Sequence, residues 1–215
     1  MKDFDCFVSV KGKPLVTLLA APLLLLQFAC SDRVVLPQGI LAPEAPMQTV
    51  LPAERVLRNG VALSIRADFS LRAKLLAKRR YRWDELAKVA PWDFALGWGP
   101  MSDEMVLSGI AITQGDRFLF WKRFNSPLKL EVVEQHSANL HLIPANAAIE
   151  EALAAIPEGA LLSLQGKLVD VHLADKRIIP TSLSRSDRGA GACEILLVEA
   201  VERHVMTANV ASTNR

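Results

Sequence analysis

Strict alternation of apolar side chains over fifteen residues constrains this chain more than any other feature. Every second residue from Val61 to Leu75 is apolar, and the positions between them include Arg66, Asp68 and Arg72. A period of two puts neighbouring side chains on opposite faces of a strand, whereas a helix would scatter the same residues around its surface. The alternation therefore predicts one long bent strand, or two successive strands, with one face buried.

The segments that follow predict a mainly β chain with a few helices, and their short turns favour antiparallel pairing. Short helices are predicted near 84–96, strands over Leu107–Thr113 and Arg117–Phe124, a short extended segment over Glu131–Val133, a helix over Asn146–Ile156, and strands over Leu161–Leu173, Arg177–Leu183 and Cys193–Val201. A helix between the third and fourth strands is the layout of the OB fold. The sequence therefore predicts a small antiparallel OB-like β-barrel (α+β) over residues 56–203, with a generic α+β roll as the alternative.

Residues 1–30 have the pattern of an export signal. Three lysines between Met1 and Lys13 precede the uncharged, leucine-rich run Pro14–Ala29. A basic region followed by an apolar core that ends at a small residue is typical of a secretory signal. Cys30, directly after Ala29, resembles the cysteine of a bacterial lipobox, which predicts lipid attachment at Cys30. A plain cleaved signal and an uncleaved anchor are the alternatives, and all three place the domain in the cell envelope.

The segments that flank the domain carry fewer signals. Four prolines within residues 31–55 predict an extended tether between membrane and domain, and residues 204–215 form a C-terminal tail. Lys and Arg number 25 against 23 Asp and Glu, so a broad basic face and a nucleic-acid partner are not expected. Of the three cysteines, Cys193 alone lies in the domain, so we expect no internal disulfide.

Three polar islands interrupt the hydrophobic pattern: GWGPMSD (Gly97–Asp103), HSANLH (His136–His141) and SLSRSDRGAGACE (Ser182–Glu194). We expect the three islands to build one ligand-binding face. Its candidate residues are Trp98, Ser102, Asp103, His136, Ser137, Asn139, His141, Arg185, Asp187 and Glu194. The pattern predicts no cofactor and no metal.

The spacing of His136 and His141 argues against a simple metal pair. Residues five apart point to opposite faces of a strand and lie about 140° apart on a helix. Only a turn at residues 137–139 would bring both imidazoles to one ion, so we interpret HSANLH as a turn first. The remaining enzyme hypothesis is a hydrolase or metal-dependent enzyme that uses His136, His141 and Asp103, with Cys193 as a candidate nucleophile.

A basic stripe from Arg66 to Arg82, with Tyr81 and Trp83 interleaved, suggests a third hypothesis. Such a stripe can form a groove for a polyanion or a single strand of nucleic acid. Asp68, Asp84 and Glu85 lie within or beside the stripe and offset its charge, so a solvated strand face is the preferred interpretation.

Four motifs of the chain resemble those of a family of bacterial exported proteins and lipoproteins whose activity is unassigned. They are DFALGWGPMSD, FLFW (Phe118–Trp121), HSANLHLIPA and TSLSRSDRGAGACE. The resemblance covers roughly Phe69 to Val201, with Thr181 where the family has serine and EGA in place of a Gly-Asp pair. It implies that the three polar islands belong to one constellation, and it assigns no catalytic residue.

Taken together, the sequence predicts an exported cell-envelope protein that is a non-enzymatic binding module. Its partner would be an envelope protein, a peptide or a glycan that contacts the face built by the three islands. The enzyme and polyanion hypotheses remain as alternatives.

Overall fold

The computed structural model of the chain describes residues 33–184 and 192–206. Within them the strands are β1 (Met47–Arg58), β2 (Val61–Arg80), β3 (Trp92–Gly97), β4 (Ile110–Gly115), β5 (Phe118–Arg123), β6 (Ser137–Pro144), β7 (Leu161–His172), β8 (Ile178–Ile179) and β9 (Glu194–His204). The α-helices are α1 (Glu104–Leu107), α2 (Leu130–Gln135) and α3 (Ala147–Ala155). The predicted signal, Cys30, Arg185 and Asp187 lie outside the described residues, as does most of the predicted C-terminal tail.

The alternating segment forms a single strand, β2, as one of the two predicted forms requires. Its apolar positions from Leu63 to Leu75 are buried, and most of the positions between them are partly exposed. The register with β7 shifts between Ile65 and Ala67, and the register with β3 shifts between Leu75 and Ala77. Such irregularities bend a strand, which lets β2 pair with β1 and then β3 along one edge and with β7 along the other.

Five strands pair in a ring. β2 pairs with β3, β3 with β6, β6 with β9, β9 with β7, and β7 returns to β2. All of these pairings are antiparallel except β6 with β9, which is parallel. β1 and β8 add to the outside of this ring, and β4 with β5 forms a separate hairpin. The prediction of a mainly β chain is confirmed, and the helix predicted over Asn146–Ile156 is α3, which lies between β6 and β7.

The core lies where the ring strands face one another. Its largest apolar cluster joins alternate residues of β2, such as Phe69, to Phe94 of β3, Leu140 of β6 and Leu164 of β7. α3 packs Leu153 against this cluster, and its N-terminus is capped by Asn146, whose side chain accepts a hydrogen bond from Ile149 N at 2.9 Å. The apolar face predicted from the alternation is therefore the face that fills the ring.

Two predicted elements are wrong. Residues 92–97, expected to be helical, form strand β3, and Glu131–Val133, expected to be extended, lies in helix α2. All six residues of β3 are buried, so the strand has no polar face and shows no alternation. A short apolar run of this kind does not distinguish a strand from a helix. In the predicted helix before it, only Leu86–Lys88 is helical, as a single 3-10 turn.

The segment before β1 differs from the predicted tether. Its backbone N–H groups at Leu41 and Ala42 donate to Ser102 Oγ at 3.0 and 3.1 Å, and Gly39 N donates to Asp103 Oδ1 at 3.0 Å. An extended chain leaves its N–H groups unpaired, so polar side chains can hold it against the domain. From Met47 onward the same region is strand β1. In the described ranges no helix has the length and apolar character needed to traverse a lipid bilayer.

Candidate active site

A buried carboxylate stands at the centre of the site. Asp93 is the one charged residue of the apolar strand β3, and its side chain has no exposed surface. Its Oδ1 accepts from Arg117 Nη1 at 2.6 Å and lies 2.9 Å from His141 Nδ1, while Oδ2 accepts from Asn139 Nδ2 at 3.1 Å. Burying a carboxylate is costly unless it is paired, and these three contacts supply the pairing.

Strand register explains how the three residues meet. Asp93 of β3 lies directly opposite His141 of β6, and Ala95 lies opposite Asn139. Residues two apart on a strand share a face, so Asp93, Asn139 and His141 project from the same side of the paired strands. The parallel pairing of β9 with β6 places Glu194 opposite Leu140. The residue before Glu194, Cys193, therefore lies close enough to interact with His141.

His141 is held in one orientation and interacts with a thiol. Burial lowers the pKa of this imidazole, but the hydrogen bond to Asp93 and the interaction with Cys193 outweigh burial and raise the pKa to about 9. Because Nδ1 points to Asp93, Nε2 is the ring nitrogen left for another group. The half-buried Cys193 thiol also lies 3.9 Å from the backbone carbonyl of Arg117. The Cys193 thiol thus interacts with the His141 imidazole, and this imidazole in turn bonds the Asp93 carboxylate.

The tip of the β4–β5 hairpin lies against one side of the site and contacts both Asp93 and Cys193. Its two central residues, Asp116 and Arg117, have φ of 50° and 68°, the left-handed conformation of a type I′ turn. Residues other than glycine, asparagine and aspartate rarely adopt this conformation, so Arg117 is strained unless its surroundings hold it. The backbone carbonyl of Arg117 accepts from Asn139 Nδ2 at 2.9 Å, which fastens the tip to β6.

The side chain of Arg117 provides the rest of that support. Its guanidinium donates to Asp93 at 2.6 Å and to Asp84 at 2.7 Å, and it lies 4.0 Å from the centre of the Tyr81 ring. Arg117 N also donates to the Tyr81 hydroxyl at 3.0 Å. Burial raises the pKa of that phenol, so it stays protonated at neutral pH. The hairpin tip is therefore a fixed wall of the site.

A small polar cavity of about 80 Å³ opens between the second and third islands. It is lined by Glu134, Ser137, Ala138, Asn139, Ser184, Ala192 and Glu194. Two of these residues, Asn139 and Glu194, are buried. A cavity of this size has room for a small polar group.

The second and third islands meet in this site, and the first does not join them. From GWGPMSD, Trp98 is buried in the main core, Ser102 holds residues 41 and 42, and Asp103 caps α1 by accepting from Met105 N at 2.9 Å. These three residues support the docked N-terminal segment and do not face the thiol.

HSANLH is not the predicted turn. His136 ends α2, and the rest of the motif is the first part of β6. The His136 imidazole bonds the Val132 carbonyl through Nδ1 at 2.8 Å and packs against Gly99, where an added Cβ would lie 2.5 Å from it. Ser137 likewise bonds back to α2, through Val133 O at 2.7 Å. His136 thus belongs with the first island, apart from His141, and no metal-binding group of three or more His, Cys, Asp or Glu occurs in the described ranges.

Two residues of the site were missed at the sequence level, Asp93 and Arg117. The enzyme hypothesis named Asp103 as its carboxylate, whereas Asp93 is the one bonded to His141. A single aspartate inside the run WDFALG was the available signal, because a charge in a fully apolar strand must have a buried partner. No residue pattern around Arg117 indicates a role in the site, because the hairpin alone brings Arg117 there.

The basic stripe does not form a continuous free surface. Lys74 is buried and paired with Glu104, Arg66 pairs with Asp170 at 2.6 Å, and Arg80 pairs with Glu150 at 3.0 Å. Lys78 donates to the carbonyls of Ala154 and Ile156, which end α3. Much of the stripe's charge is therefore used within the domain.

The chain matches no protein-family model, no curated protein and no solved structure. No relative therefore lends it an activity.

Proposed function

We propose that this protein is a thiol-dependent acyl-transfer enzyme in which Cys193 is the nucleophile, His141 the acid and base, and Asp93 the residue that orients His141. The observation that carries the proposal is the 2.9 Å contact between Asp93 and His141 Nδ1, with Cys193 interacting with the same imidazole. A nucleophile, a base and a group that orients the base, each within reach of the next, are the general signature of covalent catalysis.

The chemistry follows from the charge on His141. Because its pKa is raised to about 9, the imidazole is protonated at neutral pH and carries the proton that a leaving group needs. Cys193 reacts as the thiolate, the nucleophilic form of a thiol. The thiolate attacks the carbonyl carbon of an ester, thioester or amide, and His141 gives its proton to the departing oxygen, sulfur or nitrogen. A thioester on Cys193 remains. Water or an amine then attacks it, loses a proton to His141, and releases the acyl product with Cys193 restored.

The proposed fold and location accompany this activity. The order β2-β3-β6-β9-β7, the parallel pair β6–β9 and the helix α3 before β7 support an OB-like barrel. Export, with lipid attached at Cys30, rests on the sequence pattern of residues 1–30. Loss of palmitate labelling in a Cys30→Ser variant tests it, and labelling that survives this substitution refutes it.

A second candidate is the non-enzymatic binding module, which would use the same residues to hold a partner. The small polar cavity between the second and third islands favours it, since most of the residues that line this cavity are polar. In that case the thiol would be no more reactive than an ordinary cysteine.

Cysteine alkylation separates the two. The full chain is treated with iodoacetamide between pH 5 and 9, and the modified peptide that contains Cys193 is quantified by mass spectrometry. At pH 6 we expect His141→Asn to slow alkylation about tenfold or more, the lower end of what a positioned proton-transfer partner contributes. His172→Asn is the matched control, because His172 bonds Ser64 at 2.7 Å, on a different strand pair.

A chromogenic acetyl ester then tests turnover. We expect an initial burst and an acetyl mass on Cys193, both absent in Cys193→Ala. Equal alkylation of the wild type and His141→Asn at pH 6, together with no acetylated intermediate, would contradict the enzyme proposal and favour the binding module.

A further inference from the structure

The end of β2, the loop after it and the tip of the β4–β5 hairpin border a cavity of about 640 Å³. Its lining consists of Arg79, Arg80, Tyr81, Arg82, Trp83, Asp84, Asp116 and Arg117. A volume in this range suits a ligand of a few rings rather than a single ion. Cys193 does not line it, so it is a different feature from the thiol site.

The cavity is bordered by one highly exposed aromatic ring. Trp83 is 95% exposed, which is unusual for so large an apolar ring. The guanidiniums of Arg117 and Arg79 lie 4.0 and 5.6 Å from the centre of the Tyr81 ring. They cover this ring, so it is not open for stacking on a ligand. Exposed tryptophans beside a cavity are common anchors for ligands, because the ring supplies a large rigid surface for stacking.

The charges around Trp83 are mixed. Arg82 is exposed and pairs with no residue in the described part of the chain, while Arg79 uses one guanidinium nitrogen on Gln114 O. Asp84 and Asp116 are carboxylates on the same wall. A groove for nucleic acid is uniformly basic, and carboxylates repel its phosphates. Carboxylates do accept hydrogen bonds from sugar hydroxyls, and a guanidinium matches the carboxylate of an acidic sugar.

From this combination we propose that the cavity binds an acidic oligosaccharide. Trp83 stacks on a sugar ring, Arg82 pairs with the sugar's carboxylate, and Asp116 accepts from its hydroxyls. The proposal goes beyond the acyl-transfer activity and stands without it. Arg117 joins the two features, since its side chain lines the cavity and its backbone carbonyl lies 3.9 Å from Cys193 Sγ.

Calorimetric titration of the full chain with a hexamer of uronic acid tests the proposal, with a neutral glucose hexamer as the comparison ligand. We expect saturable 1:1 binding of the acidic hexamer, at least tenfold tighter than the neutral one. Trp83→Ala and Arg82→Gln should each weaken it about tenfold, the effect of one stacking or one charged contact. Arg55→Gln is the matched control, because it removes the same charge from an exposed position on β1 that does not line the cavity.

Three results would overturn the proposal. They are no binding of the acidic hexamer at millimolar concentration, unchanged affinity in Trp83→Ala, and equal affinity for the neutral hexamer. Tighter binding of a thymidine oligonucleotide, with affinity that falls steeply as salt rises, would replace the glycan by a polyanion. Alkylation of Cys193 is measured on the same variants. If Trp83→Ala keeps normal alkylation while losing the glycan, the two sites are independent, and failure of either proposal can be told from failure of the other.

Discussion

Replacing Asp93 by asparagine removes the charge on which the candidate active site depends and keeps the size of the side chain. In the wild type this fully buried carboxylate faces two cationic groups, Arg117 and the protonated His141, whose side chains are only 15% and 9% exposed. The substitution takes the carboxylate away from both groups and leaves the buried Arg117 guanidinium without this partner. Breaking a buried pair by removing one partner costs about 3–5 kcal/mol. A domain of this size loses roughly 2–4 °C in Tm per kcal/mol, so we expect Tm to fall by about 6–20 °C.

The same substitution changes the titration of His141. Without the carboxylate, burial still lowers the His141 pKa while the two contributions of Asp93 that raise it are lost, so the pKa should fall from about 9 and more of the imidazole should be neutral at pH 7. Urea denaturation at pH 7 measures the loss of stability, and an NMR titration of the histidine Cε1–H signals measures the pKa.

Asp84→Asn is the matched control for Asp93→Asn. Asp84 bonds the same guanidinium at 2.7 Å, but its side chain is 40% exposed. Exposed ion pairs contribute little, so we expect a cost below about 1 kcal/mol. Equal losses of stability in the two variants, or a His141 signal that still titrates near 9 in Asp93→Asn, would refute the reasoning.

Three further predictions concern stability. The raised pKa of His141 stabilises the fold below pH 6.5, and this contribution should disappear as the pH rises to about 9; urea midpoints across that window should fall in the wild type and stay flatter in His141→Asn. Gly159→Ala should destabilise the fold strongly, because the new Cβ would lie 1.9 Å from Val34 O. The Cβ of Gly60→Ala meets no atom within 4 Å, so this variant should cost only about 1 kcal/mol for its positive φ. Thermal melts that rank the two variants otherwise would contradict this prediction. Ser102→Ala removes the acceptor of two N–H groups before β1, so proteases should cut residues 33–46 faster while Tm falls by only a few degrees; unchanged cleavage would mean that other contacts hold the segment.

How far the sequence predicts the fold depends on whether an element has a polar face. β2 was predicted because its apolar and polar residues alternate, and α3 because Asn146 can cap a helix that Pro157-Glu158-Gly159 ends. The β4–β5 hairpin was predicted because two strand patterns flank Gln114-Gly115-Asp116. β3 was not predicted as a strand, since both of its faces are buried and its residues do not alternate. The order of pairing also depends on long-range contacts, which local patterns do not carry.

The candidate site shows the same limit. The i, i+5 argument correctly separates His136 from His141, and the two histidines do serve different parts of the domain. The partner of His141 lies 48 residues away on β3, and Cys193 reaches it only through the parallel pairing of β6 with β9. No spacing rule within one motif could identify Asp93 and Cys193 as the partners of His141.

The parallel pairing has a consequence for how the protein is made. β9 follows every other strand of the ring along the chain, and it is the strand that brings Cys193 to the imidazole. Until β9 docks, the thiol has no imidazole partner, and β6 and β7 each keep an unpaired edge. A nascent chain would therefore lack the thiol–imidazole contact, and the proposed acyl chemistry would begin only on a molecule that has finished folding. Reactivity of Cys193 would then serve as a chemical signal of maturation.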